Sequence, residues 1–361
     1  MKRPLLSVCV ITYNHERYIR QALDSILAQK VNFVWELIIA DDYSTDGTRT
    51  ILQEYKKKYP TIITLILQKR NIGPEGNWLD LMSYPKSKYV LYAEGDDYLT
   101  NNIKLQKQVD YLESHPTTSM CFHPVQVIYE DNERPDEIFP TPEQRFNKKL
   151  LGFSDLLEHN FIQTNSAMYR WRFTDQNIRD VFPLNIAPGD WFLHLLHAKV
   201  GKIGYLNDCM AVYRRHSAGL WWEAAHDIDK VWLTYGLRHL NLFVAIKRLA
   251  NDTKYDEVTD VHITQIVQTI LETDEKYKLD NLRQAIRTQP EAIYIYIRRS
   301  MADRRHAIRD LKEHSDGQAQ IIDHTVRELQ ASEARNAELV RELNKPLHRK
   351  VLDKAKAKIK H

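Results

Sequence analysis

Carboxylate side chains crowd one short segment of the chain. Glu94, Asp96 and Asp97 fall at the end of an apolar run, and Gly95 among them permits a tight turn. Adjacent carboxylates repel each other, so such a cluster costs stability unless a cation neutralises it. Mg²⁺ and Mn²⁺ take hard oxygen ligands and commonly bind carboxylates together with phosphate oxygens. The segment predicts a divalent metal site on Asp96 and Asp97, with a solvated acidic turn as the alternative.

Two further carboxylates, Asp41 and Asp42, follow an earlier apolar run. At a strand end they can accept hydrogen bonds from a pyrimidine imide or a ribose hydroxyl. The residues after them, 44–47, are typical of turns and helix caps. We therefore interpret Asp42 as functional and Asp46 as a cap.

A polar turn, Thr12-Tyr13-Asn14, leads from the first apolar run into a helical pattern. Free backbone N–H groups and the positive end of a helix dipole suit a nucleotide there, and the ring of Tyr13 could stack on a base. The alternative is a plain β–α turn in which Asn14 caps the helix.

Asp190 precedes Trp191 at the start of another helical pattern. An acidic residue in a first helical turn is usually a partner of the helix dipole. Beside an aromatic ring that could form a sugar-stacking wall, it could instead act as a general base. Both interpretations stay open on the residues alone.

A last cluster, Arg214-Arg215-His216, follows a strand-like run over 202–215. The two guanidinium groups could hold a diphosphate, and His216 could contact phosphate or a metal ion. Solvated charge at a strand end is the alternative.

The elements that must position these residues alternate between strand and helix. Continuous apolar runs at 5–12, 35–40, 62–67 and 89–93 predict buried parallel strands, and helical patterns lie between them. Such alternation predicts an open, mostly parallel sheet with flanking helices, whose ligands bind beyond the carboxyl ends of the strands. The polar clusters after the first, second and fourth strands all fall at that edge.

Bulk composition narrows the class of protein. The 361 residues carry 51 basic and 48 acidic side chains, a net charge of +3, which argues against a nucleic-acid binder. Three cysteines, far apart, favour a reducing cytoplasm over a disulfide framework or a zinc knuckle. We expect no signal peptide, and no apolar stretch reaches the roughly 20 residues that span a bilayer.

The pattern divides the chain into three parts. Residues 1–222 carry the α/β pattern, 223–305 form a helical extension, and 306–361 form a charged helical tail. The tail has a weak heptad pattern over 323–343, which Glu333 and Asn336 interrupt. Its end, 345–361, is a basic, mildly amphipathic helix that could bind an anionic membrane or a partner protein, with a solvated helix as the alternative.

Taken together, these motifs resemble the family-two inverting glycosyltransferases with a GT-A fold. The corresponding segments are 12–14, 41–48, the Asn-x-Gly turn 71–73, 94–97, 189–191 and 213–217. One departure is Glu94, which stands where the family's acidic motif usually has its first Asp, so the metal assignment rests on Asp96 and Asp97.

The resemblance implies direct displacement at the anomeric carbon with inversion, from a nucleotide diphosphate sugar to an acceptor hydroxyl. Asp190 would be the base, Trp191 an acceptor contact, and Mn²⁺ or Mg²⁺ the cofactor on Asp96 and Asp97. The implied nucleotide-sugar site comprises Thr12, Tyr13, Asn14, Glu16, Asp41, Asp42, Asn71, Gly73, Asp96, Arg214, Arg215 and His216.

Family habit favours a UDP-linked hexose or N-acetylhexosamine, a glycan or lipid-linked acceptor, and a role in cell-surface polysaccharide synthesis. A cytoplasmic enzyme, peripheral at the inner face of the membrane, would suit that role, and a homo-oligomer stays open. Two rival functions are a nucleotidyltransferase and a non-catalytic assembly subunit. A nucleotidyltransferase would want a glycine-rich loop where the chain has Tyr13-Asn14-His15-Glu16, and the retained Asp96, Asp97 and Asp190 argue against a silent subunit.

Overall fold

The computed structural model describes residues 3–130, 134–141, 150–219, 222, 227–277 and 281–313, with positions 327, 331, 334 and 335. Two compact units make up the chain, Met1–Ile228 (unit 1) and Asp229–His361 (unit 2). The domain limits at 222 and 305 stay predictions. The basic helix predicted for 345–361 lies outside the described residues, as does nearly all of the heptad segment 323–343.

Unit 1 alternates strands and helices along most of its length. Its strands are β1 Leu6–Thr12, β2 Trp35–Asp41, β3 Ile63–Leu67, β4 Tyr89–Glu94, β5 Tyr98–Leu99, β6 Thr118–Phe122, β7 Val125–Tyr129, β8 Glu137–Phe139, β9 Leu150–Leu151, β10 Met168–Arg170, β11 Lys202–Tyr205 and β12 Ala211–Arg215. Its helices are α1 Ile19–Leu27, α2 Thr48–Lys58, α3 Gly73–Met82, α4 Lys104–Ser114, α5 Phe153–Glu158 and α6 Gly189–Ala198.

The strands form two sheets. The larger has eight strands in the order β3-β2-β1-β4-β10-β6-β11-β9, and the smaller has four in the order β5-β12-β7-β8. β1 lies parallel between β2 and β4, with Thr12 level with Asp41 and Ile11 level with Glu94. The polar residues that follow these strands therefore start from one edge of the sheet. β10 runs antiparallel to both of its neighbours, so the sheet is mixed.

The buried side chains of β1 and α1 follow the apolar pattern of the sequence. β1 is buried almost throughout, as a continuous β-branched run requires for a strand covered on both faces. On α1 the buried side chains are Ile19, Ala22, Leu23 and Ile26, the spacing of one helical face turned to the sheet. Ile19, Leu23 and Ile26 belong to one apolar cluster with buried residues of both sheets.

The strand-like run at 202–215 is two strands rather than one. β11 pairs with β6 in the larger sheet, whereas β12 pairs with β7 and β5 in the smaller one. Because β5 begins at Tyr98, directly after the acidic turn, this change of sheet carries the end of β12 to that turn. The break between β11 and β12 therefore brings the end of β12 to the candidate site.

Unit 2 is helical in its described part. Its helices are α7 Ile228–Ala250, α8 Asp256–Tyr277, α9 Asn281–Thr288 and α10 Pro290–Glu313. The apolar side chains they bury include Leu240, Phe243, Ile246, Ile263, Val267, Ile270, Ile293 and Ile297. Among the described residues, no helix has both the length and the apolar character that crossing a membrane requires.

Candidate active site

Asp96 lies between two histidines in the acidic turn after β4. The Nε2 atom of His216 is 2.9 Å from Oδ2 of Asp96, and Nε2 of His15 is 3.7 Å from the same oxygen. His216 follows β12 and His15 follows β1, so strand pairing brings both to the turn. Burial opposes ionisation of Asp96, but the two imidazoles hold its pKa below the usual value.

Asp96 and His216 fit a divalent metal ion. The Oδ1 atom of Asp96 is buried and has no hydrogen-bond partner, which leaves a carboxylate oxygen available to a ligand. Carboxylates suit Mg²⁺ and Mn²⁺, and imidazole is a common metal ligand. In the described part of the chain, no three His, Cys, Asp or Glu side chains are arranged to hold an ion by themselves. A metal ion here would complete its coordination with oxygens of a bound phosphate or water.

The neighbouring Asp97 turns into the protein. Its Oδ1 accepts the backbone N–H of Arg214 at 3.0 Å, and its Oδ2 accepts the side-chain amide of Asn165 at 2.9 Å. Burial raises the pKa of Asp97, and the charges of Asp96 and Glu94 add to that rise. Asp97 thus fixes the shape of the turn through both of its oxygens, and its role as a second metal ligand stays a prediction.

Glu94 lies within electrostatic reach of the two functional carboxylates. Burial raises its pKa to about 8, and the charges of Asp96 and Asp190 contribute to the shift. The end of β4 and the start of α6 are therefore close enough for these carboxylates to interact electrostatically. The sequence separates these residues widely, and the fold brings them together.

Gly95 is where the turn meets the end of β1. A Cβ atom at this position would lie 2.9 Å from Oγ1 of Thr12 and 2.9 Å from Nδ1 of His15, too close for either. Both of those atoms are buried without a hydrogen-bond partner. Burial lowers the pKa of His15. The glycine thus admits two unpaired polar groups to the metal-facing side of the turn.

Asp190 begins the first turn of α6 with hydrogen bonds to both oxygens. Oδ1 accepts the backbone N–H of Trp191 at 2.7 Å, and Oδ2 accepts the hydroxyl of Thr164 at 2.9 Å. Burial raises the pKa of Asp190, and the Thr164 hydroxyl acts in the opposite direction. A carboxylate of raised pKa in a partly open position can accept a proton from a hydroxyl.

Trp191 is buried rather than open to a sugar. Only 7% of its surface is exposed, and its indole N–H donates to the carbonyl of Leu156 at 2.9 Å. This bond anchors α6 to α5. The predicted acceptor contact through a stacking face is therefore wrong for Trp191, and its role is to fix the helix that carries Asp190.

Asn14 and Glu16 brace the loop after β1 against the loop after β2. The Oδ1 atom of Asn14 accepts the N–H of Thr45 at 2.8 Å, and its own N–H donates to Oγ of Ser44 at 2.9 Å. Glu16 accepts the N–H of Gly47 at 2.7 Å. These bonds shape the predicted nucleotide site, and direct contact of either residue with a nucleotide stays a prediction.

The two carboxylates at the end of β2 have different surroundings. Asp41 is fully buried and pairs with Nε of Arg49 at 2.6 Å, which marks it as structural. Asp42 accepts the N–H of Ile72 at 2.7 Å through one oxygen. Burial raises the pKa of Asp42, and this backbone bond lowers it. Asp42 is thus the better candidate for a ligand contact.

Tyr13 and the Asn71–Gly73 turn keep features that a nucleotide could use. Tyr13 has 43% of its surface exposed, so its ring is accessible for stacking. Asn71 accepts the N–H of Gly73 at 3.1 Å, and Gly73 has φ of +80°, which favours glycine. Helix α3 begins at Gly73, so its first N–H groups lie at this turn.

All three nitrogens of the Arg214 guanidinium donate hydrogen bonds within the protein. Its Nε donates to the carbonyl of Asp96 at 2.9 Å, its Nη1 to Glu130 at 3.2 Å and its Nη2 to Gln21 at 2.7 Å. The guanidinium also lies over the ring of Tyr18. These contacts correct the predicted diphosphate role: Arg214 holds the acidic turn to α1 and to the end of β7.

Arg215 points to the other side of β12, as alternation along a strand requires. Its guanidinium lies over the rings of Tyr129 and Tyr213, and its Nε is buried without a hydrogen-bond partner. A contact between Arg215 and a diphosphate stays a prediction.

Sequence reasoning missed several residues of this site. The ring of Tyr18 packs against His216 at a tilt of 41°, with ring centroids 4.6 Å apart, and its hydroxyl donates to Glu130 at 2.7 Å. Thr164 and Asn165 donate to Asp190 and Asp97 from one short turn. The signal for that turn was four polar residues, 163–166, inside an otherwise apolar run at 161–169.

The chain is similar to known glycosyltransferases in sequence. The model for glycosyl transferase family 2 matches residues 7–177. The uncharacterised protein Rv1520 of Mycobacterium tuberculosis is 47% identical over 231 residues, which are 64% of this chain and 64% of that protein. TuaG of Bacillus subtilis, named a putative teichuronic acid biosynthesis glycosyltransferase, is 31% identical over 241 residues, covering 64% of this chain and 88% of TuaG. The match spans less than two thirds of the mycobacterial protein.

The fold is similar to that of solved structures at low sequence identity. TarS 1-349 of S. aureus matches with a TM-score of 0.52 at 18% identity, covering 91% of each chain. The mannosyltransferase PcManGT from Pyrobaculum calidifontis matches with a TM-score of 0.50 at 15% identity, covering 93% of this chain and 88% of the other. These likenesses confirm the predicted GT-A fold. The family model and the relationship to TuaG lead to one conclusion: the chain belongs to glycosyltransferase family 2.

Proposed function

We propose that the chain is an inverting, metal-dependent glycosyltransferase that moves a hexose or N-acetylhexosamine from a nucleotide diphosphate sugar to an acceptor hydroxyl. The observation that carries this proposal is Asp96 in the turn after β4, where one buried carboxylate oxygen has no hydrogen-bond partner and the other lies beside the imidazoles of His216 and His15. Family membership supports the reaction class.

On the donor side, Asp96 and His216 would hold Mn²⁺ or Mg²⁺. When bound, such an ion neutralises charge that develops on the departing nucleoside diphosphate. Asp97 keeps the turn in shape through its bonds to Arg214 and Asn165. Asp42 and Tyr13 remain available to the base and ribose of the nucleotide.

On the acceptor side, Asp190 would take the proton of the attacking hydroxyl. Its Oδ2 already accepts one hydrogen bond from a hydroxyl, that of Thr164 at 2.9 Å, so its position suits an O–H donor. Burial raises the pKa of Asp190, which strengthens it as a base relative to a solvated carboxylate. Attack from the face opposite the leaving group would invert the anomeric centre.

The donor nucleotide is proposed by analogy. TarS is described in complex with UDP, and PcManGT in complex with GDP-Man and Mn²⁺. The name of TuaG refers to teichuronic acid biosynthesis. We propose UDP as the carrier and a cell-surface polysaccharide or glycoconjugate as the product.

A donor screen tests this proposal. The protein is incubated with UDP- and GDP-sugars in Mn²⁺, in Mg²⁺ and in excess chelator, and release of nucleoside diphosphate is measured. We expect release from a UDP-sugar only with a metal ion. Once an acceptor is found, NMR of the product should show the anomeric configuration opposite to that of the donor. Retained configuration would overturn inversion, and no release from any donor would overturn the transferase assignment.

A further inference from the structure

The short 3₁₀ turn Thr164–Ser166, which precedes β10, consists of three buried polar residues. Burial of polar side chains is costly unless each finds a hydrogen-bond partner. Ser166 satisfies its hydroxyl inside the turn, on the carbonyl of Gln163 at 2.6 Å. Thr164 and Asn165 instead reach out of the turn, in two different directions.

Thr164 contacts the acceptor side and Asn165 the donor side. The hydroxyl of Thr164 lies 2.9 Å from Oδ2 of Asp190 at the start of α6. The amide of Asn165 donates to Oδ2 of Asp97 and to the carbonyl of Val212, each at 2.9 Å. Adjacent residues of one turn thus hold the helix of the base and the acidic turn of the metal site.

We propose that Thr164 and Asn165 are positioning residues, which set the placement of Asp190 relative to the acidic turn that carries Asp96. This inference rests on the proposed function, since it assigns the machinery of the same reaction. Reacting groups tolerate little displacement, and an error of about 1 Å can cost about a hundredfold in rate. A turn fixed by buried hydrogen bonds at both ends supplies that precision without touching the substrate.

The hydrogen bond from Thr164 leaves Asp190 able to accept a hydrogen bond from an acceptor hydroxyl. Oδ1 of Asp190 is taken by the backbone of α6, so Oδ2 is the oxygen that an acceptor would meet. A single hydroxyl donor orients Oδ2 and still leaves a lone pair for the acceptor. A bulkier amide in place of Thr164 would occupy that space.

Loss of the Thr164 hydroxyl has a defined effect on the pH profile. The ionisable groups that face Asp190 are His194 of α6, 3.9 Å from Oδ2, Glu94 and Tyr92 of β4, and Tyr169 of β10. None of these changes when Thr164 is altered. A donor to the anion favours ionisation, so its removal raises the pKa of the base and moves the acid limb of kcat/KM to higher pH.

The experiment compares Thr164→Val, Thr164→Ala and Thr164→Ser with the wild type, using the full chain with its metal ion. We expect Val and Ala to lower kcat about tenfold, as for loss of one hydrogen bond to a charged group. Donor affinity measured by calorimetry should stay unchanged, and the acid limb should move up in pH. Thr164→Ser should restore kcat and return the acid limb of the kcat/KM profile to its wild-type pH. A matched control is Thr174→Val, which removes an exposed hydroxyl 3.3 Å from the Asp175 carboxylate.

The second arm is Asn165→Ala, which should raise the Mn²⁺ concentration needed for half-maximal activity and leave the acid limb in place. A folded Thr164→Val or Thr164→Ala variant with wild-type kcat and an unmoved limb would overturn the inference. The Asp190→Asn variant distinguishes failure of this inference from failure of the proposed function. If that variant is inactive while the Thr164 variants behave as wild type, the inference alone fails, whereas an active Asp190→Asn removes the proposed base itself.

Discussion

Two buried carboxylates, Asp260 of unit 2 and Asp96 of unit 1, have opposite surroundings. In unit 2, Asp260 is only 3% exposed and lies 2.9 Å from Nζ of Lys247 and 2.5 Å from Nη2 of Arg298. In unit 1, Asp96 has two imidazoles beside it, together with the carboxylates of Glu94 and Asp97 on the same turn.

The difference separates a structural acid from one kept for a ligand. The lysine of α7 and the arginine of α10 neutralise Asp260 of α8, so this charge joins three helices. The turn of Asp96 concentrates negative charge instead, which destabilises an empty site and attracts a cation. Clusters that raise the pKa of their own members are candidates for function, because a fold gains nothing from them otherwise.

On the acceptor side, the largest effect on activity is expected for Asp190→Asn. The amide keeps the shape of the side chain but cannot accept the proton, so kcat should fall at least about a hundredfold. Donor affinity and melting temperature should barely change. A collapse of donor affinity in calorimetry would move Asp190 into the nucleotide site and contradict its role as base.

Arg214 and Arg215 offer a matched pair on one strand. Arg214→Met removes three hydrogen bonds and leaves Glu130 with Arg17 and Tyr18 as its remaining partners, which should cost about 2–4 kcal/mol of unfolding free energy. Arg215→Met loses ring contacts only, so its cost should be smaller. Denaturant unfolding measures both. Equal stability of the two variants would contradict the structural role of Arg214.

Asp260→Asn tests the structural acid of unit 2. The amide removes the counter-charge that Asp260 gives to Arg298 and leaves Lys247 with Asp256, so we expect a loss of about 1–3 kcal/mol. Glu257→Gln is the control, because Glu257 pairs with Arg299 at an exposed position where about 0–1 kcal/mol is typical. Loss of helical circular dichroism on heating measures the stability of both variants. Equal destabilisation by Asp260→Asn and Glu257→Gln would contradict the structural role of Asp260.

The smallest effect is expected at Lys104, a buried cation of α4 whose Nζ donates to the neutral amide oxygen of Gln108 at 2.9 Å. Burial lowers its pKa to about 7. An unfolded lysine holds its proton to about pH 10.4, so between those values the unfolded state binds more protons and wild-type stability rises with pH. Lys104→Met should therefore stabilise the protein by about 1–2 kcal/mol below pH 7.

That stabilisation should shrink as the pH rises from about 7 towards 10, because the wild-type lysine loses its charge in the folded state over this range. Denaturant unfolding at several pH values measures the difference. A constant difference between variant and wild type across the range would show that Lys104 keeps its proton when folded.

The sequence was sufficient to locate the edge of the sheet but not the direction of each side chain. Parallel strands in register put Thr12, Asp41 and Glu94 at one edge, and apolar runs mark such strands clearly. Asp96 and Asp97 are neighbours in a turn, and which of them faces inward depends on distant donors at Asn165 and Arg214. Local pattern carries no information about those partners.

The same limit explains two errors. Trp191 is covered because α5 supplies a carbonyl to its indole, which no feature of residues 189–191 could indicate. Arg214 and Arg215 alternate across β12, and their different surroundings follow from the change of sheet between β11 and β12. Pattern predicts elements and their ends, whereas the pairing between elements decides which polar group remains available.

The central claim is that Asp96, in the acidic turn after β4, carries metal-dependent transfer. Release of nucleoside diphosphate from the preferred donor is measured against Mn²⁺ concentration for wild type, Asp96→Asn and Asp208→Asn, the last an exposed acid paired with Lys107. We predict that Asp208→Asn follows the wild-type curve, while Asp96→Asn shows no release at any Mn²⁺ concentration yet melts at the wild-type temperature. Wild-type release by a folded Asp96→Asn variant would contradict the claim.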